Sequence, residues 1–245
     1  MVMNMVETFG FSAYLCVNNT VSMDNSIYDT LLCLPLFQGM TKNDFGIVLE
    51  KVRFGFHKFA AGQTVAEAGK SCGSFVFLLN GRMRSHRSST DGLFSLTEEI
   101  EAPYMIEVSS MFGMNPVYRG TYVADEECGI LVIEKQFLYT ELFKYNVCRM
   151  NMMNMLSNRT HSLERDLWNL TPKDMKGRFV HLLMSLSDIP SGRKDVRVKM
   201  EDLAPVLQET RLSVSRMLNA MEKEGLVVLK RGGFMVPALE KLIEK

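Results

Sequence analysis

From Leu34 to Glu134 the apolar residues come in short bursts cut by glycine. Gly62, Gly69, Gly73, Gly81 and Gly92 punctuate runs such as SFVFLLN and FSLTEEI. Turn residues at such short intervals, among Phe and β-branched residues, predict many short antiparallel strands forming a sandwich or jelly roll. Ser-Thr-Asp-Gly at 89–92 predicts a hairpin, because Asp-Gly takes the positive φ angles of a tight turn. Arg82, Arg84 and His86 alternate at strand spacing, which reads as one solvated face rather than an anion site.

The period then changes. From about Tyr145 to Leu170 neither Gly nor Pro occurs, and Met153, Leu156, Thr160, Leu163, Leu167 and Leu170 step by threes and fours. That is a heptad seam of about two and a half repeats. Two readings stay open, a dimer helix and a helix packed on its own domain; the prevalence of symmetric dimers favours the first. Met150, Met152, Met153 and Met155 read as soft core filler rather than metal ligands. Thr171-Pro172 marks a break, since the residue before proline resists helical geometry.

Beyond the break lies a unit the size of three helices. KGRFVHLLMSLSDI predicts an amphipathic helix with Phe179, Leu182, Leu183 and Leu186 on one face, PSGRK a loop, and LVVLKRGGFMVP a β-hairpin turning on Gly232-Gly233. Between them, Glu201 to Leu207 predicts a short helix burying Leu203, Val206 and Leu207, with Pro205 in its opening turns. Thr210 suits the N-cap of a second helix that buries Val214, Met217, Leu218 and Met221. Its other face begins with Arg211, Leu212, Ser213, Ser215 and Arg216.

Two helices joined by a short turn, with cations and hydroxyls opening the second, form a helix-turn-helix layout. Arginine can donate two parallel hydrogen bonds to guanine in the major groove. Serine hydroxyls and helix-end amides suit phosphates, and Lys230 and Arg231 at the hairpin tip would clamp the backbone as a wing.

Composition narrows the class without naming it. Of 245 residues, 28 are Lys or Arg and 28 Asp or Glu, so no net field advertises nucleic acid or membrane. The balance is uneven: residues 171–245 hold 14 basic side chains against 10 acidic ones. Five scattered cysteines without a CxxC pair argue against a disulfide framework or cysteine-ligated cluster and fit a reducing cytosol. No apolar run reaches the roughly 20 residues needed to cross a bilayer, so no membrane partner is expected. No Lys or Arg precedes Lys42, so the basic start of a signal peptide is missing. Residues 1–22 carry no pattern and are expected to be a disordered tail or a mis-annotated start, with Met23 the natural first residue. A phosphate-cradling glycine loop, a nucleophile elbow and a clustered metal motif are all missing, and no enzyme is expected.

Over nearly the whole chain after Met23 the sequence resembles the cyclic-AMP receptor protein family of bacterial regulators, the Crp/Fnr family. LPLFQGMTKNDF is similar to the family's opening, FAAGQTVAEAGKSCGSFVFLLNGRMR to its β-roll, CGILVIEKQF to the exit into its dimer helix, and KGRFVHLLMSL to the first helix of its DNA domain. The stretch LAPVLQETRLSVSRMLNAMEKEGLV matches without gaps, with Arg211 and Arg216 where the family reads bases and Ser213 where it contacts phosphate. Leu212 replaces a common glutamate and cannot accept from cytosine's amino group, so the family's half-site rule is not shared in full.

The resemblance implies an α+β fold: an N-terminal antiparallel β-roll or jelly roll of the cyclic-nucleotide-binding kind, a long dimerisation helix and a C-terminal winged helix-turn-helix. The expected divisions are an effector-binding β-roll at 23–144, a dimer helix at 145–170 and a DNA domain at 171–245, hinged near Leu170-Thr171. It further implies a homodimer on duplex DNA, RNA polymerase as a partner, and a cytoplasmic setting.

The effector is open. The family's nucleotide site needs a carboxylate for the ribose, plus an arginine and N–H groups for the phosphate. APYMIEVSSMFG puts Glu107 at the carboxylate position, but with Ile106 in place of a glycine, and Arg119 precedes Gly120 rather than serine. Glu107 and Arg119 are thus either a nucleotide pair or an ordinary sheet-edge ion pair. Thr160, Leu163 and Glu164 on the long helix are the other expected contacts. Haem is the rival cofactor, with His57, His86 and Cys72 as possible ligands that no spacing singles out. The rival of another class is a ligand-binding module whose winged helix docks protein.

Overall fold

The computed structural model describes residues 27–51, 55–168 and 172–243. Residues 1–22 and the Leu170-Thr171 hinge lie outside that range. Two short helices, α1 (Ile27–Cys33) and α2 (Lys42–Lys51), lead into eight strands: β1 (Gly55–Phe59), β2 (Thr64–Ala66), β3 (Ser74–Asn80), β4 (Arg82–Ser88), β5 (Phe94–Glu101), β6 (Tyr104–Met105), β7 (Thr121–Ala124) and β8 (Cys128–Glu134). Every pairing among them is antiparallel. The roll's two layers close over Phe75, Phe77, Tyr122, Ile130 and Leu131, all essentially out of water. Gly81 turns β3 into β4 at φ +87°, and a Cβ there would lie 2.6 Å from the carbonyl oxygen of Glu127, so both sterics and packing require glycine.

A helix α3 (Lys135–Thr140) then hands the chain to the long helix α4 (Asn146–Trp168). Its first turns are anchored by buried Cys148 and Met152, and by Asn151, whose amide donates to the carbonyls of Leu36 and Gln38. Met153 and Leu163 of the heptad seam are about half exposed in the single chain. Burial lifts the Cys148 thiol to about 11, so it is an inert core residue.

The last unit comprises α5 (Met175–Leu186), β9 (Lys194–Val198), α6 (Met200–Val206), α7 (Arg211–Lys223), β10 (Val228–Lys230), β11 (Gly233–Val236) and α8 (Glu240–Ile243). The two helices flanking the helix-turn-helix turn fall where the pattern predicts, but Val206, expected in the core with Leu203 and Leu207, is 54% exposed; three further local corrections follow. Lys194, expected in the PSGRK loop, instead opens a strand that runs on to Val198. Pro205 sits at the penultimate position of α6 rather than in its opening turns, where it has no N–H to give the Glu201 carbonyl, and the helix ends one residue later. The hairpin pairs Lys230 with Gly233, so it turns on Arg231-Gly232; Gly233 lies in the strand, where a Cβ would collide with the carbonyl of Val196.

β9 does more than complete the wing. It pairs with β11 on one side and with β5 on the other, residues 94–98 against 198–194. One seven-stranded sheet therefore runs from wing to β-roll in the order β10-β11-β9-β5-β4-β7-β2. Leu96 of β5 is buried in the core of the C-terminal unit, and Ile189 packs against that of the β-roll. At the end of the β5–β9 ladder, Lys194 and Glu98, both fully buried, form an ion pair of 2.9 Å. Glu98 also accepts from the backbone N–H groups of Asp188 and Ile189, and Lys194 donates to the carbonyl of Ser191. Truncating one member of such a pair strands a charge away from water. Glu98→Gln should therefore cost about 3–5 kcal/mol in urea unfolding, and Glu98→Leu combined with Lys194→Met should recover only part of it, because the N–H groups of Asp188 and Ile189 still lose their acceptor.

Candidate functional site

The recognition surface follows from how α7 is fixed. Thr210 caps it, its hydroxyl accepting the Ser213 N–H at 3.1 Å. Val214, Met217, Leu218 and Met221 bury one face in the C-terminal core. Gln208 at φ +54° makes the bend before it. Arg178 of α5 holds the bend, donating to the Leu207 carbonyl at 2.8 Å and to the Glu209 carboxylate at 2.5 Å. Periodicity gave no sign of that brace, because a lone arginine on an amphipathic helix reads as solvated.

With one face buried and the turn braced, the opposite face of α7 projects from the body. Arg211, Leu212 and Arg216 are exposed, and neither arginine has a hydrogen-bond or ion-pair partner among the described residues. Ser213 and Ser215 are half-buried beside them, Ser215 accepting from Asn219 at 3.3 Å. At the hairpin tip Arg231 is exposed, whereas Lys230 is already paired with Asp195. The Arg82, Arg84 and His86 face is neutralised where it stands: Arg82 pairs with Glu126 at 3.1 Å, Arg84 with Asp125, and His86 bonds Thr97 at 3.0 Å.

A second site lies in the β-roll beneath α4. Glu107 occupies it in the left-handed backbone region, φ +40°, with its carboxylate almost wholly buried. That carboxylate accepts four hydrogen bonds: from Ser110 Oγ at 2.6 Å, the N–H groups of Arg119 and Gly120 at 2.8 Å each, and Tyr122 Oη at 3.0 Å. The guanidinium groups of Arg87 and Arg119 each stand 3.6 Å away. A sheet-edge ion pair in water would look nothing like this; the pairing of Glu107 with Arg119 belongs to a buried anion cradle.

Above the cradle opens a cleft of about 190 Å³, lined by Glu107 and Arg119, by Met155, Leu156 and Arg159 of α4, and by Asp188 from the C-terminal unit. The helix contributes one turn earlier than Thr160, Leu163 and Glu164, which are exposed outside the lining. Asp188 is the residue that sequence could not have offered. Its carboxylate bonds Arg87 and stands 3.4 Å from Arg159. Burial pushes its carboxyl up, but Arg87, then Arg159 and Arg119, more than offset that and hold it below the usual carboxylate range. The haem candidates do not converge: His57 and His86 lie exposed on strands of different sheets, and Cys72 is in the core. Among the described residues no three His, Cys, Asp or Glu side chains form a metal-sized cluster.

A β-roll bearing a polar cleft, joined to a winged helix with exposed arginines, fits one class: a DNA-binding transcriptional regulator with a sensing domain. Residues 56–145 match the cyclic nucleotide-binding domain model and residues 177–245 the Crp-like helix-turn-helix domain model. The chain belongs to the Crp/Fnr family of regulators, whose domains are non-enzymatic. No curated protein is similar enough to the chain to count as a match.

Among solved structures it is similar to the catabolite activator protein of Thermus thermophilus, at 20% identity and a TM-score of 0.50 over 86% of this chain and 97% of that one. Two further likenesses are weaker in shape. DNR of Pseudomonas aeruginosa shows 19% identity and a TM-score of 0.43 over 88% and 95% of the two chains. A CooA mutant of Carboxydothermus hydrogenoformans shows 20% identity and 0.43 over 81% and 89%. At these identities the likeness is one of fold. No described helix is long and apolar enough to cross a membrane.

Removing the Glu107 carboxylate would leave two backbone N–H groups and the Tyr122 hydroxyl without their acceptor. Glu107→Ala should therefore lower stability by about 3 kcal/mol or more, read from thermal or urea unfolding.

Proposed function

We propose that the protein is a homodimeric, sequence-specific transcriptional regulator whose α7 enters the major groove of duplex DNA. The observation that carries this reading is the pair of exposed guanidinium groups of Arg211 and Arg216, without a partner among the described residues, on a helix whose opposite face is locked in the core. Arg211 and Arg216 read base edges; Thr210, Ser213 and Ser215 steady the helix end on phosphate; Lys230 and Arg231 hold the flanking backbone. Leu212, 60% exposed, offers apolar contact, as to a thymine methyl group.

The half-exposed Met153 and Leu163 of α4 are the seam along which a second copy packs, giving two α7 helices for two half-sites. The regulator works in the cytoplasm and acts on RNA polymerase bound nearby.

The cleft under α4 receives the effector, and its residues argue against a cyclic nucleotide held in the family's manner. The N–H groups of Arg119 and Gly120, the donors a phosphate would need, are taken by Glu107. The cleft also falls below the roughly 300 Å³ where ordinary ligand pockets begin.

Duplexes selected from a random pool by the purified protein supply the test. Each bidentate arginine–guanine contact is worth about 2 kcal/mol, so Arg211→Ala with Arg216→Ala should weaken selective binding roughly a thousandfold while leaving the weak non-selective binding. Arg231→Ala should instead weaken binding to all sequences alike and reduce the salt slope by about 1. Selective binding that survives the double substitution would assign α7 to a protein partner.

A further inference from the structure

A groove of about 630 Å³ lies on the exposed face of the seven-stranded sheet, where the C-terminal unit meets the β-roll. That volume is within the roughly 300–1,000 Å³ of ordinary ligand pockets. Among the described residues six Lys and Arg side chains line it against three carboxylates, and Val196, the one apolar side chain there, is buried. The cations are unevenly answered. On the β-roll side Arg82 and Arg84 have Glu126 and Asp125. On the C-terminal side Asp195 serves both Arg193 and Lys230, and Glu99 stands 3.4 Å from Arg193. Arg197 is exposed and has no hydrogen-bond or ion-pair partner among the described residues.

Strand register shapes the floor. Lys230, Gly233 and Arg197 are cross-strand neighbours in one row over β10, β11 and β9. A Cβ on Gly233 would collide with the Val196 carbonyl oxygen, so the middle of the row is bare backbone. Two strand spacings set Lys230 and Arg197 about 10 Å apart at their backbones, with open space between them. Arg193 continues the same line of cations towards the β-roll.

We infer that this groove binds a chain of linked phosphates, as in inorganic polyphosphate, seated between Lys230 and Arg197 and running on past Arg193. Charge does the recognising, because the lining offers neither an aromatic ring nor open apolar surface. A guanidinium group meets phosphate oxygens two at a time, and a linear polyanion engages several cations in succession where a single phosphate engages one or two. A DNA duplex is too broad to enter a groove of this volume and would meet its rim alone. None of the lining residues belongs to α7, so the site is independent of what that helix reads.

Isothermal titration of the full-length protein with tripolyphosphate and with orthophosphate, at one ionic strength, tests this. Tripolyphosphate should bind about a hundredfold more tightly than orthophosphate. Arg197→Ala should weaken it about tenfold, whereas Asp195→Asn, which frees Lys230 and Arg193, should tighten it by a similar factor. Adenosine triphosphate should bind no more tightly than tripolyphosphate, since nothing in the lining holds a base. The Arg211 and Arg216 substitutions should leave all of these affinities unchanged. Equal binding of tripolyphosphate and orthophosphate, indifference to Arg197→Ala, or weaker binding after Asp195→Asn overturns the inference. A duplex that displaces tripolyphosphate from the Arg211→Ala, Arg216→Ala variant would overturn it as well, and would give the groove to the DNA backbone.

Discussion

A lysine and a glutamate, both out of water, meet where the strand of one domain joins the sheet of another. Lys194 and Glu98 are tolerable there only because each is saturated, the glutamate by the ammonium and two backbone N–H groups, the lysine by the carboxylate and the Ser191 carbonyl. A pair of this kind adds little net stability relative to an apolar one, but it forbids near misses, since any slip of register leaves a buried charge unanswered. The ladder beside it would tolerate slippage far better. The ion pair therefore sets the register in which β9 meets β5, and with it the placement of the wing and of α7 on the β-roll.

That placement has consequences for how the protein can move. Parting β9 from β5 would turn both into edge strands with unpaired backbone groups. It would also expose Leu96, which now sits in the C-terminal core, at about 2 kcal/mol for an aliphatic side chain. The exposed face of α7 is not consumed by this docking, because the helix buries its other side. What the docking constrains is position, which in a symmetric dimer decides whether two helices can reach two half-sites together.

Sequence pattern reached local structure and the exposed face of α7, and stopped at contacts between distant segments. The helix-turn-helix was legible because its signals are local: a capping threonine, a three–four apolar spacing, and cations confined to one face. The β-roll was legible through its glycines, Gly81 being one that both its φ and its neighbour's carbonyl demand. Glu107 was found through resemblance, yet its environment was not, since the four donors around it come from residues 110, 119, 120 and 122 and a backbone angle no periodicity encodes. Arg87, Arg159, Asp188, Glu98 and Lys194 were invisible as a set. Each is an ordinary charged residue in its own segment, and only the packing of α4 and the C-terminal unit on the roll brings them within bonding distance. The strand Lys194–Val198 was missed for a related reason, as five residues beginning with a buried lysine carry too little alternation to announce themselves.

The two buried carboxylates solve different problems. Glu107 is surrounded by groups of its own domain, so no movement of the C-terminal unit relieves or strains it; it sets the shape of the roll. Asp188 is shared among three parts of the molecule, accepting from a roll arginine and a helix arginine while its own N–H is held by a roll glutamate. An interaction so divided reports on all three at once.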